Sequence, residues 1–267
     1  MTSRYLVAVD GSRPAAAALR WAADRADAAG DPLVIVHVEP GANEELDDAA
    51  VQRGAELLAE TAEWLSARHP DLSVSVRLLE GSVPAALAAF AERTDTLVIG
   101  TGKTGFLHGR VLGSRGVQIA AAVSCTVAVI PEVDLRFRRG VVAGVDRTGT
   151  AATIARTAAG EADARGEELL LVQASPERGA RLTTADRADL ALGEAVATAR
   201  EYFPDLVIRS RVAARPPAEA LLDSARDKAL LVLGTGAPDG DRPVVGSVLH
   251  DVLLNANSPV LISREDG

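Results

Sequence analysis

Residues 6–12 read LVAVDGS, an apolar run of strand length that ends in Asp-Gly-Ser, and residues 141–148 read VVAGVDRT, which repeats that run and its aspartate. Four further landmarks recur in the same order in both halves of the chain. They are LVIVHV at 33–38 with LLLVQA at 169–174, TLVIGTG at 96–102 with LLVLGTG at 230–236, LGS at 112–114 with VGS at 245–247, and CTVAVIP at 125–131 with SPVLIS at 258–263. Five ordered matches indicate two tandem copies of one domain.

The length of the chain suits this interpretation. The 267 residues allow each copy about 130 residues, close to the usual size of a domain with its own core. The stretch PEVDLRFRRG at 131–140 mixes proline, glycine and charge, as connecting segments do. We therefore predict a first domain at 1–133, a linker at 134–139 and a second domain at 140–267.

Composition argues against several classes of function. A net charge of −9 and an aromatic content of 3% disfavour a nucleic-acid partner, which needs basic surfaces and stacking platforms. No apolar run approaches the roughly 18 residues of a membrane span, so we expect no membrane partner. The single cysteine, Cys125, excludes an intramolecular disulfide, and no charged-then-apolar leader is visible at the start. These features predict a cytoplasmic protein.

Strand-length apolar runs alternate with helix-patterned segments in both copies, which predicts an α/β fold. Runs that are apolar on both faces are typical of a parallel sheet covered by helices on both sides. Right-handed crossovers then favour a doubly wound, five-stranded parallel sheet in the flavodoxin-like order 3-2-1-4-5 for each copy. The predicted strands are 5–9, 33–38, 74–79, 96–99 and 126–130, followed by 141–145, 169–172, 206–212, 230–233 and 260–262.

Helix signals support the same pattern. Pro14 suits the first turn of a helix, Ser82 is expected to cap another, and a long Ala- and Glu-rich helix is expected at about 45–68. In this topology ligands bind outside the carboxyl ends of strands one and four. Asp10 and Gly100 end those strands in the first copy, as Asp146 and Gly234 do in the second.

Several stretches carry a resemblance to a known family. They are AVDGS at 8–12, ALRWA at 18–22, VHV at 36–38, EGSVPAAL at 80–87 and DTLVIGTGKTGFLHGRVLGS at 95–114. Over nearly its whole length the chain resembles a tandem universal stress protein, which implies an adenine nucleotide alpha-hydrolase-like fold and a role in the stress response. The resemblance further implies that ATP-binding members contact adenine with the strand-one aspartate and the end of strand two. They hold the phosphates with a loop of the form G-x2-G-x9-G-[ST].

The resemblance assigns candidate residues in the first copy by matching positions. Asp10 and Val38 would meet the base, and Gly100, Gly113 and Ser114 match the phosphate loop. The second glycine of the loop is replaced by Lys103, which loses a close backbone approach and offers a point charge instead. With flanking positions, the predicted nucleotide-binding residues are Asp10, Gly11, Ser12, Val38, Gly100, Thr101, Gly102, Lys103, Gly113, Ser114 and Arg115.

The second copy departs further from the family pattern. Its loop is one residue shorter, again lacks the second glycine, and carries Asp239 and Asp241 where phosphates would lie. We expect the second copy to be the one that binds no nucleotide and contributes packing instead. Its secondary candidates are Asp146, Gly234, Thr235, Gly236, Gly246 and Ser247.

Three functions stay open at this point. The first is a stress-response sensor or interaction module that binds ATP, with accompanying Mg, or a related adenine nucleotide, mainly in the first domain. The second is a nucleotide-free interaction protein in which the halves form an intramolecular pseudo-dimer, with a homodimer as a further option. The third is an ATPase. Its turnover would be slow, because no residue in the sequence is identified that orients a water or clamps the γ-phosphate. The nucleotide-free interaction protein would be favoured if the aspartate only caps its own turn and the glycines are needed only for backbone geometry.

Other motifs have simpler interpretations. The histidines lack metal-ligand spacing, and no catalytic constellation is present, so neither metal nor catalytic residue is predicted. His37 is expected to be a hydrogen-bonded, partly buried strand residue. Cys125, Trp21 and Trp64 are expected to pack in the core.

Overall fold

The computed structural model describes residues 3–39, 48–102, 114–146, 150–174, 182–235 and 245–264, with the side chains of residues 114 and 182–189 left aside. The chain divides into two compact units, Met1–Glu132 and Val133–Gly267. Lys103, Gly113 and Gly236 of the predicted site lie outside the described residues, as do Asp239 and Asp241.

The first unit alternates strands and helices as predicted. Its elements are β1 (Tyr5–Ala8), α1 (Arg13–Ala29), β2 (Leu33–Glu39), α2 (Asp48–Ser66), β3 (Val74–Glu80), α3 (Val83–Phe90), β4 (Thr96–Thr101), α4 (Ser114–Ala122) and β5 (Thr126–Pro131). All neighbouring strands pair in parallel, in the order β3-β2-β1-β4-β5.

The second unit repeats this arrangement. Its elements are β6 (Val141–Val145), α5 (Ala151–Asp163), β7 (Leu169–Ala174), α6 (Leu182–Tyr202), β8 (Ile208–Ala213), α7 (Pro217–Ala225), β9 (Leu230–Gly234), α8 (Ser247–Asn255) and β10 (Val260–Ser263). The order β8-β7-β6-β9-β10 is again parallel throughout. The predicted fold class and strand order are confirmed for both copies.

Most strand ends differ from the predicted ones by one or two residues, and at two element boundaries the hydrogen bonds show why. The strand expected from Leu206 begins only at Ile208, because the Leu206 amide donates to the Phe203 carbonyl in a preceding turn. The helix expected to reach residue 68 ends at Ser66. There the amides of Arg68 and His69 both donate to the Leu65 carbonyl, which closes the helix before Pro70.

The central strands of the first unit hold its core. Leu6 and Val7 of β1 and Leu97 and Val98 of β4 have no exposed surface, because helices cover both faces of the sheet. At the amino end of these strands, Asp95 is only 1% exposed and accepts two hydrogen bonds from the Arg4 guanidinium, at 2.8 and 3.1 Å. A buried carboxylate needs such a partner, and this pair joins the starts of β1 and β4.

Helix α3 begins without the side-chain cap that we expected. Ser82 occupies the N-cap position, but its hydroxyl makes no capping hydrogen bond. Gly81 before it has a φ of 109°, and Pro84 lies in the first turn. The start of this helix is therefore defined by backbone conformation and proline, since proline pre-sets a helical φ.

Candidate functional site

The candidate site of the first unit is built on the turn between β1 and α1. Asp10 is exposed there, and its Oδ1 accepts a hydrogen bond from the Ser12 amide at 3.0 Å. Ser12 in turn caps α1 by accepting from the Ala15 amide at 3.3 Å. Gly11 between them has a φ of 77°, a conformation that favours glycine. Among the described residues, no group donates to the other Asp10 oxygen, Oδ2.

Gly100 brings the end of β4 against this turn. A Cβ atom at Gly100 would lie 2.3 Å from the carbonyl carbon and oxygen of Pro14 and 2.6 Å from the Ala15 nitrogen. The first turn of α1 therefore packs directly on β4, and only glycine leaves room for it. The structure thus places Asp10, Gly11 and Ser12 close to Gly100, and it also gives Gly100 a packing role that needs no ligand.

The end of β2 forms the third side of the candidate site. The Val9 amide donates to the Val36 carbonyl at 2.8 Å, so the backbone groups of Val36 face β1. Alternate residues of a strand direct their backbone groups to the same side, so Val38 also faces β1. Because β1 ends at Ala8, the amide and carbonyl of Val38 point past the end of that strand.

His37 lies beside these groups and supports them. Its Nδ1–H donates to the Val9 carbonyl at 2.7 Å, and its Nε2 lies 3.3 Å from a carboxylate oxygen of Glu39. The prediction of a hydrogen-bonded, partly buried histidine is confirmed. The imidazole holds the ends of β1 and β2 together.

The phosphate side of the candidate site is described only at its two ends. Thr101 closes β4 and is partly buried, and Gly102 after it is exposed. The helix α4 begins at Ser114, with Arg115 exposed in its first turn. The amides of a helix N-terminus favour anions. The phosphate contacts assigned to Lys103 and Gly113 stay a prediction.

The second unit builds a related but looser arrangement. Asp146 is exposed after β6. A Cβ at Gly234 would lie 2.8 Å from Cδ1 of Ile154, the movable end of a side chain and not backbone. A Cβ at Gly246, the residue before α8, would lie 3.8 Å from the Thr235 carbonyl, so the helix start meets the end of β9. Ser247 begins α8 and is exposed.

Gln173 is a residue that the sequence interpretation missed. It occupies the same repeat position as His37, at the carboxyl end of β7, and is only 2% exposed. Neither its amide nitrogen nor its amide oxygen has a hydrogen-bond partner among the described residues. A buried amide without partners is destabilising, so this group is either strained or hydrated. The sequence signal that could have found this residue is the replacement of His37 of the first copy by Gln173 in the second.

Replacing Gln173 by Met should raise the free energy of unfolding of the second unit by about 1 kcal/mol, because a similar shape remains and the unpaired polar atoms go. Urea denaturation followed by far-UV circular dichroism measures this. His37→Met is the matched control at the same repeat position, and it should be destabilising because it removes the bond to Val9. A loss of stability in Gln173→Met would show that the amide is hydrogen-bonded after all.

Trp64 also differs from its predicted role. Trp21 is 9% exposed and belongs to the core, as expected, whereas Trp64 is half-buried on α2 and lines a cavity between α1 and α2. The Arg68 guanidinium lies 4.1 Å from the centre of its ring. An indole that covers a cavity and not the sheet is available to a ligand.

A polar cleft between α7 and α8 has weaker claims as a site. Three of its charged groups pair with one another: Asp223 accepts hydrogen bonds from both Arg215 and Arg226. The hydrogen bond from Arg215 is the main reason why the pKa of the Asp223 carboxyl lies below its ordinary value. Since these three groups are exposed and already paired with one another, they offer little to a ligand.

Two findings concern other kinds of site. Within the described ranges, no cluster of three or more His, Cys, Asp or Glu side chains is arranged to hold a metal ion. In the same part of the chain, no helix has the length and apolar character that crossing a membrane requires.

Comparison with known proteins places the chain in a family. A family model described as "Universal stress protein family" matches residues 1–131 and again residues 138–264. A universal stress protein of Mycobacterium tuberculosis strain H37Rv is 27% identical over 287 aligned positions, covering 97% of this chain and 96% of the relative. A universal stress protein of Mycolicibacterium smegmatis is 26% identical with the same coverage.

A solved structure of full length agrees on the fold. The crystal structure of a universal stress protein from Archaeoglobus fulgidus superposes with a TM-score of 0.74 at 18% identity and covers 98% of both chains. A second universal stress protein of that organism, in complex with dAMP, is 27% identical over 46% of this chain and 96% of its own, with a TM-score of 0.40. Because the family model matches both halves, this chain belongs to the universal stress protein family and carries two tandem copies of its domain.

Proposed function

We propose that the first unit binds ATP or a related adenine nucleotide at the carboxyl ends of β1, β2 and β4, and that its occupancy is read by other proteins in a stress response. The observation that carries this proposal is a set of polar groups beside the β1–α1 turn that face away from the sheet's own ladder. Within the described part of the chain, no group donates to the second carboxylate oxygen of Asp10, and the Val38 amide and carbonyl point past the end of β1.

These groups match the edge of adenine. Adenine presents an exocyclic amine, which donates, next to ring nitrogens, which accept. The Val38 carbonyl and amide offer the complementary acceptor and donor on one residue. The free Asp10 oxygen is a further acceptor for a base or ribose hydrogen. Backbone groups held by a sheet are rigid, so little entropy is lost when they bind.

Phosphate binding would rest on the start of α4. The chain has a net charge of −9, so general attraction of an anion is absent and local donors must supply it. The amides at Ser114 and Arg115 and the Arg115 side chain are in the described region, and Lys103 is the further cation of the loop. Mg bound to the nucleotide would neutralise the remaining charge.

The first unit is the better candidate of the two. Its sequence offers Lys103 where the loop of the second unit has Asp239 and Asp241. Its β1–α1 turn is Asp-Gly-Ser, with Gly11 in the left-handed conformation, whereas the second unit has Asp-Arg-Thr at 146–148. Like-charged carboxylates oppose phosphates, so a single working site per chain is expected.

The test has two stages. Purified protein is denatured, and the released small molecules are separated by chromatography and identified by mass spectrometry; protein stripped of them is then titrated with ATP and Mg by calorimetry. About one adenine nucleotide per chain, or one ATP site in the titration, is the expected result. No released nucleotide together with a flat titration would overturn the proposal.

A nucleotide-free interaction protein is the second candidate, and one specific observation favours it. Asp10 caps its own turn, and Gly100 is required by the approach of Pro14 and Ala15. Both motif residues therefore have structural roles without a ligand. The same titration separates the two candidates, because this one binds no nucleotide.

A further inference from the structure

A cavity of about 390 Å³ lies between α1 and α2 of the first unit, below the β1–α1 turn. Leu19 and Val9 contribute buried apolar surface, and Leu57 and Trp64 of α2 contribute half-buried surface. At its upper end the cavity shares Gly11 and Ser12 with the β1–α1 turn of the proposed nucleotide site. Its remaining lining lies on Val9 and along α1 and α2, so the cavity extends away from the strand ends as a neighbouring pocket.

The second copy explains why the cavity exists. The motif HPDL at 69–72 matches FPDL at 203–206, so the two repeats align through α2 and α6 without a gap. At the positions of Leu57, Thr61 and Trp64, α6 has Ala191, Ala195 and Thr198. Bulky side chains on α2 keep it away from α1, whereas small ones on α6 permit close approach.

Helices α5 and α6 do pack closely in the second unit. A Cβ at Gly160 of α5 would lie 3.4 Å from the Phe203 ring just beyond α6. Ala195 and Ala199 of α6 and Ala155 of α5 have no exposed surface. The same repeat thus forms a closed helix pair in one copy and an open one, lined by an indole, in the other.

The lining of the cavity defines the chemistry of its occupant. Its walls are mainly apolar, and its charges, Arg20 and Glu60, are exposed and of opposite sign. The Thr61 hydroxyl donates to the Leu57 carbonyl at 2.6 Å, so its oxygen remains an acceptor. A charged ligand would gain nothing from a rim whose charges cancel, whereas an aromatic ring gains from the Trp64 indole.

We propose that this cavity binds an uncharged aromatic molecule of two or three rings. Its volume is near the lower end of the roughly 300–1,000 Å³ that is typical of small-molecule pockets, so the occupant is compact. Neither Val38 nor the residues assigned to the phosphates line this cavity, and only Gly11 and Ser12 of the predicted nucleotide-binding residues do.

The probe for the test is N-phenyl-1-naphthylamine, an uncharged aromatic dye whose emission rises in apolar surroundings. It is titrated into the full-length protein. Saturable emission with one site per chain is expected. Ala16→Phe should weaken binding at least tenfold, because Ala16 is exposed on α1 and lines the cavity, so that a phenyl ring fills it without disturbing the core. Thr61→Phe fills the cavity from α2 and should act in the same way.

Ala152→Phe is the matched control, since Ala152 holds the repeat position of Ala16 in the second unit. It should leave dye binding unchanged. Circular dichroism melts verify that each variant is folded. Dye binding that is absent in the parent protein, or that is equal in the parent, Ala16→Phe and Thr61→Phe, would overturn the proposal. Dye that is fully displaced by ATP and Mg would lie in the nucleotide site and would likewise overturn the proposal, since the two sites meet at Gly11 and Ser12.

Discussion

Replacing Gly100 by Ala should lower the free energy of unfolding of the first unit by about 3 kcal/mol, the upper part of the range for overpacked cores. The added methyl group would lie 2.3 Å from the Pro14 carbonyl group and 2.6 Å from the Ala15 nitrogen. These are backbone atoms of the first helical turn, so no rotation of a side chain relieves the clash. Either α1 or β4 must move, and both belong to the core.

Urea denaturation followed by tryptophan fluorescence measures this effect. Both tryptophans of the chain, Trp21 and Trp64, lie in the first unit, so their emission reports on that unit alone. Far-UV circular dichroism reports on both units, which matters because a two-domain chain need not unfold in one step. The fluorescence midpoint should fall in Gly100→Ala.

Gly234→Ala is the matched control at the same repeat position. Its methyl group would meet Cδ1 of Ile154 at 2.8 Å, and that side chain can turn away. We expect a loss below about 1.5 kcal/mol, confined to the circular dichroism signal. Equal effects in the two variants would mean that the contact with the Pro14 backbone does not govern Gly100.

Replacing Asp10 by Asn should weaken adenine nucleotide binding about tenfold to a hundredfold, the range for one lost hydrogen bond to a charged group. Asparagine keeps an oxygen for the Ser12 amide, so the turn is preserved. What is lost is the second carboxylate oxygen, which has no protein donor among the described residues. Calorimetric titration with ATP and Mg measures the change.

Asp146→Asn provides the comparison in the second unit, and nucleotide affinity should stay at the parent value. A drop of similar size in both variants would mean that both units bind. Full affinity in Asp10→Asn, with the fold intact, would remove Asp10 from the site and favour the nucleotide-free interaction protein.

The fold followed from sequence because its signals are local and occur twice. Runs such as LVIVHV at 33–38 are apolar on both faces, and only a covered parallel strand suits them. The handedness of crossovers then leaves few strand orders. The ends of strands were less certain, as β8 illustrates, because the turn from Phe203 to Leu206 competes with strand pairing.

The candidate site followed only in part. Topology located Asp10 and Gly100 at one edge of the sheet, and the structure places them there. That Val38 faces β1 depends on hydrogen-bond register, which the order of residues alone does not define. That Trp64 lines a cavity depends on the distance between α1 and α2.

By itself, the sequence determined that this protein has two copies of a doubly wound α/β domain, and it predicted where in each copy a ligand would meet the sheet. The period of the apolar residues and the internal repeat are properties of the sequence itself, so the fold could be predicted without knowing any contact in space. Only the tertiary structure decided that Gly100 is required by the backbone of Pro14, that the Gln173 amide is buried with no partner among the described residues, and that the helices close in one copy but not in the other. These properties arise from contacts between residues far apart in sequence, and close packing makes them sensitive to a single methyl group.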